Sequence, residues 1–112
     1  AYLTADELRE IGALGTPQAK LFEAVTSQNC EKRFCPQGAP LHDPAAVLYA
    51  AGDGIFSVQR CWMRVETSGT ITRGKTVTDC YSDAQKEPNV TLVLDVDREK
   101  FAARVKEIMA RY

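Results

Sequence analysis

Apolar residues change their spacing twice along the chain: they recur every three or four positions up to about residue 51, alternate from Phe56, and return to helical spacing after Asp97. Thr4-Ala5-Asp6-Glu7 has the form of a capping box ahead of Leu8, Ile11 and Leu14, with Gly15 as the stop, and predicts a short amphipathic helix. Thr16-Pro17 restarts the chain with a cap and a first-turn proline. Leu21, Phe22 and Val25 follow at helical spacing, so a second helix is expected to about Arg33. Pro36, Gly38 and Pro40 mark a loop. Asp43-Pro44 then reads as an N-cap with a first-turn proline, opening a helix from Pro44 to Ala51 that Gly52 closes. That run is apolar almost all round, which predicts burial with Asp43 at its mouth.

Phe56 and Val58, then Cys61, Met63 and Val65, predict a strand whose inward face switches near Arg60 through a bulge, and Ser68-Gly69 turns it. Thr70-Ile71-Thr72 and Lys75 to Tyr81 are further strand candidates, rich in Thr and Val. Asp83 to Asn89 is a polar loop containing Pro88, and Val90 to Val96 is the clearest strand. Asp97 caps a last helix with Phe101, Val105, Ile108 and Tyr112 on one face. Val96 and Phe101 occupy the two positions of a hydrophobic staple. Helices, then strands, then a strand running into a helix, without internal repeats or low-complexity segments, place the chain in the mixed α/β class.

At 112 residues, 45% hydrophobic and 26% charged, the chain is expected to be one globular segment, 1–112, that buries roughly 60–70% of its extended surface. Fourteen basic against fifteen acidic residues give a net charge of −1 and no basic stripe, which argues against nucleic acid and anionic membranes as partners. Apolar runs such as Ala45 to Ala51 fall far short of the roughly 20 residues that span a bilayer, and no signal segment opens the chain, so a cytoplasmic location is expected. The chain opens on Ala1 rather than Met and is read as a processed or trimmed piece of something longer. Cys30, Cys35, Cys61 and Cys80 are even in number but contain no C-x-x-C spacing, and Cys61 sits in an alternating run. Reduced structural thiols are the first reading.

Chemistry is concentrated at His42-Asp43. His42 is the only histidine; its type titrates near neutral pH, and the carboxylate beside it is a hard oxygen ligand suited to calcium or magnesium. The other reading is that Asp43 only caps a helix and His42 lies in a loop. The residues by themselves leave both open.

The segment Gly38-Ala39-Pro40-Leu41-His42-Asp43-Pro44-Ala45-Ala46-Val47 resembles the C-terminal signature of the inosine-uridine preferring nucleoside hydrolases. Val65-Glu66-Thr67-Ser68-Gly69, Thr72 to Asp79, Pro88-Asn89 and Leu94-Asp95-Val96-Asp97 resemble the strands that follow it, in the same order. Leu3-Thr4 and Ile11 to Pro17 resemble the helices before it, so the likeness covers nearly the whole chain. It implies the C-terminal portion of a mixed-sheet fold in which helices flank mostly antiparallel strands. It also implies hydrolysis of the N-glycosidic bond of a ribonucleoside, with His42 protonating the leaving base and Asp43 ligating a Ca²⁺ that holds the ribose hydroxyls and the attacking water. Phe34 would stack on the base and Cys30 would line the pocket. Phe34 as a core aromatic is the competing reading.

The family's N-terminal aspartate cluster, of the form Asp-Thr-Asp-Pro-Gly, is absent from this sequence. Calcium takes about 6–8 oxygen ligands, which Asp43 and a neighbouring carbonyl do not supply. Asp95 and Asp97 do not replace them, since strand alternation and helix capping account for both. The chain is therefore expected to work with an N-terminal portion of the same enzyme, covalently attached or as a complementing chain, and the resemblance implies a homo-oligomer. A second class of function is a stand-alone, non-catalytic binding module derived from that fold, with Cys30, Cys35 and His42 loosely holding a soft metal.

Overall fold

The computed structural model describes residues 1–30, 37–81 and 86–111. In chain order the elements are β1 (Tyr2–Leu3), α1 (Ala5–Gly12), α2 (Pro17–Cys30), β2 (Ala39–Pro40), α3 (His42–Ala50), β3 (Phe56–Val65), β4 (Thr76–Asp79), β5 (Val90–Val96) and α4 (Arg98–Arg111). They form two compact units, residues 1–55 with 96–112, and residues 56–95.

The first unit is helical around a short antiparallel ladder, β1 against β2, with Tyr2 opposite Pro40 and Leu3 opposite Ala39. Its core is Leu3, Leu8, Ile11, Ala19, Ala39, Leu41, Leu48, Phe101 and Val105. Local side-chain chemistry sets the starts of α1, α2 and α4 as expected. The Glu7 amide donates to Thr4 Oγ1 at 3.2 Å and the Thr4 amide to Glu7 Oε2 at 2.8 Å, a complete capping box. The Ala19 amide donates to Thr16 Oγ1 at 3.1 Å, and the Lys100 amide to Asp97 Oδ1 at 3.1 Å. Phe101 and Val105 are buried, as the last helix's apolar face requires. The expected extension of α2 to Arg33, and Tyr112, lie outside the described residues.

Glu7 also ties α1 to α4. Arg98 Nη1 donates to both its carboxylate oxygens, at 2.9 and 3.0 Å, and the guanidinium carbon lies 5.3 Å from the centre of the Tyr2 ring. Burial pushes the Glu7 carboxyl up, but the Thr4 amide and the Arg98 charge outweigh it and hold its pKa below the usual value. A carboxylate with a depressed folded pKa contributes its stability above the unfolded pKa and loses it as pH falls through the folded one. Glu7→Gln, which keeps the capping box, is thus expected to cost about 1 kcal/mol at neutral pH for a pair this exposed. Urea unfolding should show the gap to wild type closing as pH falls below 4.5, the ordinary value for this group. A gap independent of pH would show that the ion pair contributes nothing.

Among the described residues, the second unit is a three-stranded sheet in the order β4-β3-β5. β3 and β4 are antiparallel, with Trp62 opposite Asp79 and Val65 opposite Thr76. On the other side of β3, the Asn89 side chain acts as an extra peptide group: the Met63 amide donates to its Oδ1 at 2.8 Å, and its Nδ2 donates to the Met63 carbonyl at 3.0 Å. β3 is continuous, with Cys61 as its buried position and Val58 exposed.

Three expectations are corrected. Thr70-Ile71-Thr72 is a turn, not a strand, and β4 is confined to Thr76–Asp79. Glu66 Oε1 accepts the Ser68 and Gly69 amides at 2.7 and 3.1 Å, while the Gly74 amide, at φ +85°, donates to the Glu66 carbonyl at 2.7 Å. Ile71 is left 95% exposed. These local bonds override the β-propensity of the Thr-Ile-Thr run.

Asp43 is not an N-cap. Leu41 holds the cap position without a side-chain bond, and the Ala45 amide donates to its carbonyl at 3.2 Å, so the helix begins at His42. Nor is α3 buried: within it only Leu48 is, while Val47 is 67% exposed.

Candidate functional site

His42 and Asp43 open α3 directly after the β1–β2 ladder, which fixes where they stand. The Leu41 amide donates to the Ala1 carbonyl at 3.1 Å and the Leu41 side chain is buried, so the backbone entering α3 is held from both sides. Gly38 makes the ladder possible. Its φ is +148°, and a Cβ there would lie 2.2 Å from the Leu3 carbonyl oxygen. Only glycine permits that approach.

The two site side chains follow one another in the first turn and both are exposed. Pro44 comes next, where its missing amide coincides with one of the amides a helix start leaves without an intrahelical partner. Asp43 is favourably placed for the positive end of the helix dipole. The pair offers one imidazole able to carry a proton and one carboxylate able only to accept.

Asp43 also borders an open groove of about 370 Å³ between α2, α3 and α4. Its walls are Phe22, Val47, Leu48, Val105, Ile108 and Met109. The sequence pattern did not reveal this groove, because helical periodicity shows that a face is apolar and not whether another element covers it. Leu21 and Val25 on α2, at 66% and 60% exposure, are uncovered in the same way.

Cys30 is the last residue of α2 and half-buried, and α2 packs against β2, the strand that leads to His42. Phe34 and Cys35 lie outside the described residues. Among the described residues no group of three or more His, Cys, Asp or Glu side chains could hold a metal ion. Asp43 is the right type of donor for calcium, but the residues described do not make up a calcium site.

The model of the family described as inosine-uridine preferring nucleoside hydrolase matches residues 1–103. The chain belongs to this family. Among its curated relatives, the pyrimidine-specific ribonucleoside hydrolase RihA of Klebsiella pneumoniae is 36% identical over 108 residues, which are 96% of this chain and 35% of that protein. The protein of the same name from Enterobacter sp. is 31% identical, with 100% of this chain and 37% of that one covered.

Two solved nucleoside hydrolases share the fold over the whole chain. The plant enzyme PpNRh1 superposes with a TM-score of 0.82, and the purine-preferring ribonucleoside hydrolase of Gardnerella vaginalis with 0.74; each is 23% identical and 38% covered. The expected α/β fold with antiparallel strands is thus that of the nucleoside hydrolases. The chain spans a little over a third of the length of these relatives.

Proposed function

We propose that this chain is the C-terminal segment of a ribonucleoside hydrolase that works together with an N-terminal portion, attached or complementing. The observation that carries this reading is the exposed His42-Asp43 pair, held at the start of α3 by the β1–β2 ladder in a chain that belongs to the family. His42 donates a proton to the leaving nucleobase as the C–N bond breaks. Water supplies the hydroxyl that completes ribose. Asp43 provides one carboxylate of a calcium site whose other ligands come from residues outside this chain.

Exposed apolar side chains in each unit support the same view. Leu21, Val25 and Val47 in the first, and Val65, Val77 and Leu94 in the second, form surfaces suited to being covered by the rest of the enzyme. The relatives' names include both a pyrimidine-specific and a purine-preferring enzyme, so they single out no base.

The isolated 112-residue chain is expected to release no ribose from inosine or uridine, and to gain that activity once joined to the N-terminal portion. Reducing-sugar release by the isolated chain, lost in His42→Ala, would overturn the need for a second portion.

A further inference from the structure

Cys61 and Cys80 are placed face to face by the β3–β4 register. Trp62 pairs with Asp79, Met63 with Thr78, Arg64 with Val77 and Val65 with Thr76, so one step further sets Cys61 opposite Cys80. The Glu66 amide donates to the Lys75 carbonyl at 2.9 Å, which makes 66/75 a hydrogen-bonded pair. Antiparallel ladders alternate, so 64/77 and 62/79 are of that wide kind, and 65/76, 63/78 and 61/80 are the narrow, non-bonded kind. Facing residues at narrow positions stand with Cα atoms roughly 4.5 Å apart and side chains on one face. That falls within the roughly 4.4–6.8 Å separation that disulfides span.

Hydrogen bonds hold both backbones in place. Gln59 Nε2 donates to the Cys80 carbonyl at 3.0 Å, and the Asn89 amide donates to the Cys61 carbonyl at 3.1 Å. Both thiols are free, with Cys61 only 2% exposed and Cys80 half-exposed. Burial first, and then the neighbouring Cys80, push the Cys61 thiol up, so it is the thiol less ready to react with a reagent from solution. A recess of about 240 Å³, lined by both cysteines, Tyr81 and Lys86 among others, gives a reagent access to the pair.

We propose that Cys61 and Cys80 form a redox-reactive dithiol that closes to a cross-strand disulfide on meeting a small-molecule disulfide. The Cys80 thiolate attacks one sulfur of the reagent, which releases its first half as a thiol and leaves a mixed disulfide on Cys80. Cys61 then gives up its proton and attacks the Cys80 sulfur, releasing the second half. Two protein thiols are oxidised by two electrons in all, and the reagent is reduced to two thiols. Closure ties β3 to β4 at the end of the ladder away from the turn that Glu66 organises.

The test treats the full protein with oxidised glutathione, blocks remaining thiols by alkylation and maps peptides without reduction. The expected product is a Cys61–Cys80 linked peptide, with two fewer alkylated thiols than the untreated protein and full reversal by dithiothreitol. Cys61→Ala should instead accumulate a glutathione adduct on Cys80, and Cys80→Ser should leave Cys61 unmodified. The wild-type map decides even where a variant misfolds. A lasting adduct on Cys80 of the wild type, a linkage of either thiol to Cys30 or Cys35, or both thiols remaining free would overturn the proposal.

Discussion

In the complete enzyme, His42→Ala is expected to lower turnover by about 10²–10⁴-fold for nucleosides whose base must be protonated to leave. Calcium affinity should stay close to wild type, because the imidazole is not one of the oxygen ligands calcium selects. His42 is exposed at the first position of α3, while the buried contacts of that region belong to Leu41 and Leu48. Removing the imidazole leaves those contacts in place, so the change in stability should stay within about 0.5 kcal/mol. Substrate comparison gives the discriminating measurement. A nitrophenyl riboside expels a leaving group that needs no proton, so a group acting only as acid at the base should matter little for it. Equal losses of kcat on inosine and on nitrophenyl riboside would show that His42 does not act on the leaving base.

The parts of the fold legible in the sequence were those written in local pattern, the alternating runs that form β3 and β5 and the side-chain bonds that start three of the helices. The boxes and caps at Thr4, Thr16 and Asp97 are side-chain bonds to nearby amides, and each stands where its residue pattern placed it. The errors have non-local or competing causes. Asp43 has the sequence form of a cap, yet the ladder between β1 and β2, nearly forty positions apart in sequence, carries the chain through Leu41 and starts the helix one residue before it. Thr70-Ile71-Thr72 has the composition of a strand, but the Glu66 carboxylate and carbonyl capture three amides of the same stretch.

Burial of α3 was not legible because apolar periodicity carries no information about which element covers a face. The candidate site shows the same division. His42-Asp43 stood out as the only histidine beside a carboxylate, and resemblance gave it a role, whereas the groove beside Asp43 arises from three helices distant in sequence. The facing of Cys61 and Cys80 required the strand register, which alternation does not set.

Asp43→Asn separates the two roles open to that carboxylate, and the observed start of α3 sharpens the comparison. With Leu41 at the cap position, Asn at 43 neither gains nor loses a capping bond; it loses only the attraction between a charge and the helix N-terminus, worth about 0.3–1 kcal/mol. If that is all Asp43 does, the variant of the complete enzyme should be slightly less stable, equally so with and without calcium, and fully active. If Asp43 is a calcium ligand, the metal-free variant should show the same small loss or less, since repulsion among carboxylates in an empty site is relieved. Calcium affinity should then fall by at least about 10–100-fold, the loss that follows removal of groups merely supporting a metal ligand. Binding linkage converts a hundredfold loss, at calcium concentrations that saturate wild type, into about 2.7 kcal/mol less stabilisation on adding calcium. Turnover should fall with it. We expect this second pattern. Calorimetric titration of the Asn variant with calcium measures it directly, and an affinity equal to wild type would remove Asp43 from the metal site and leave it a helix-terminal charge.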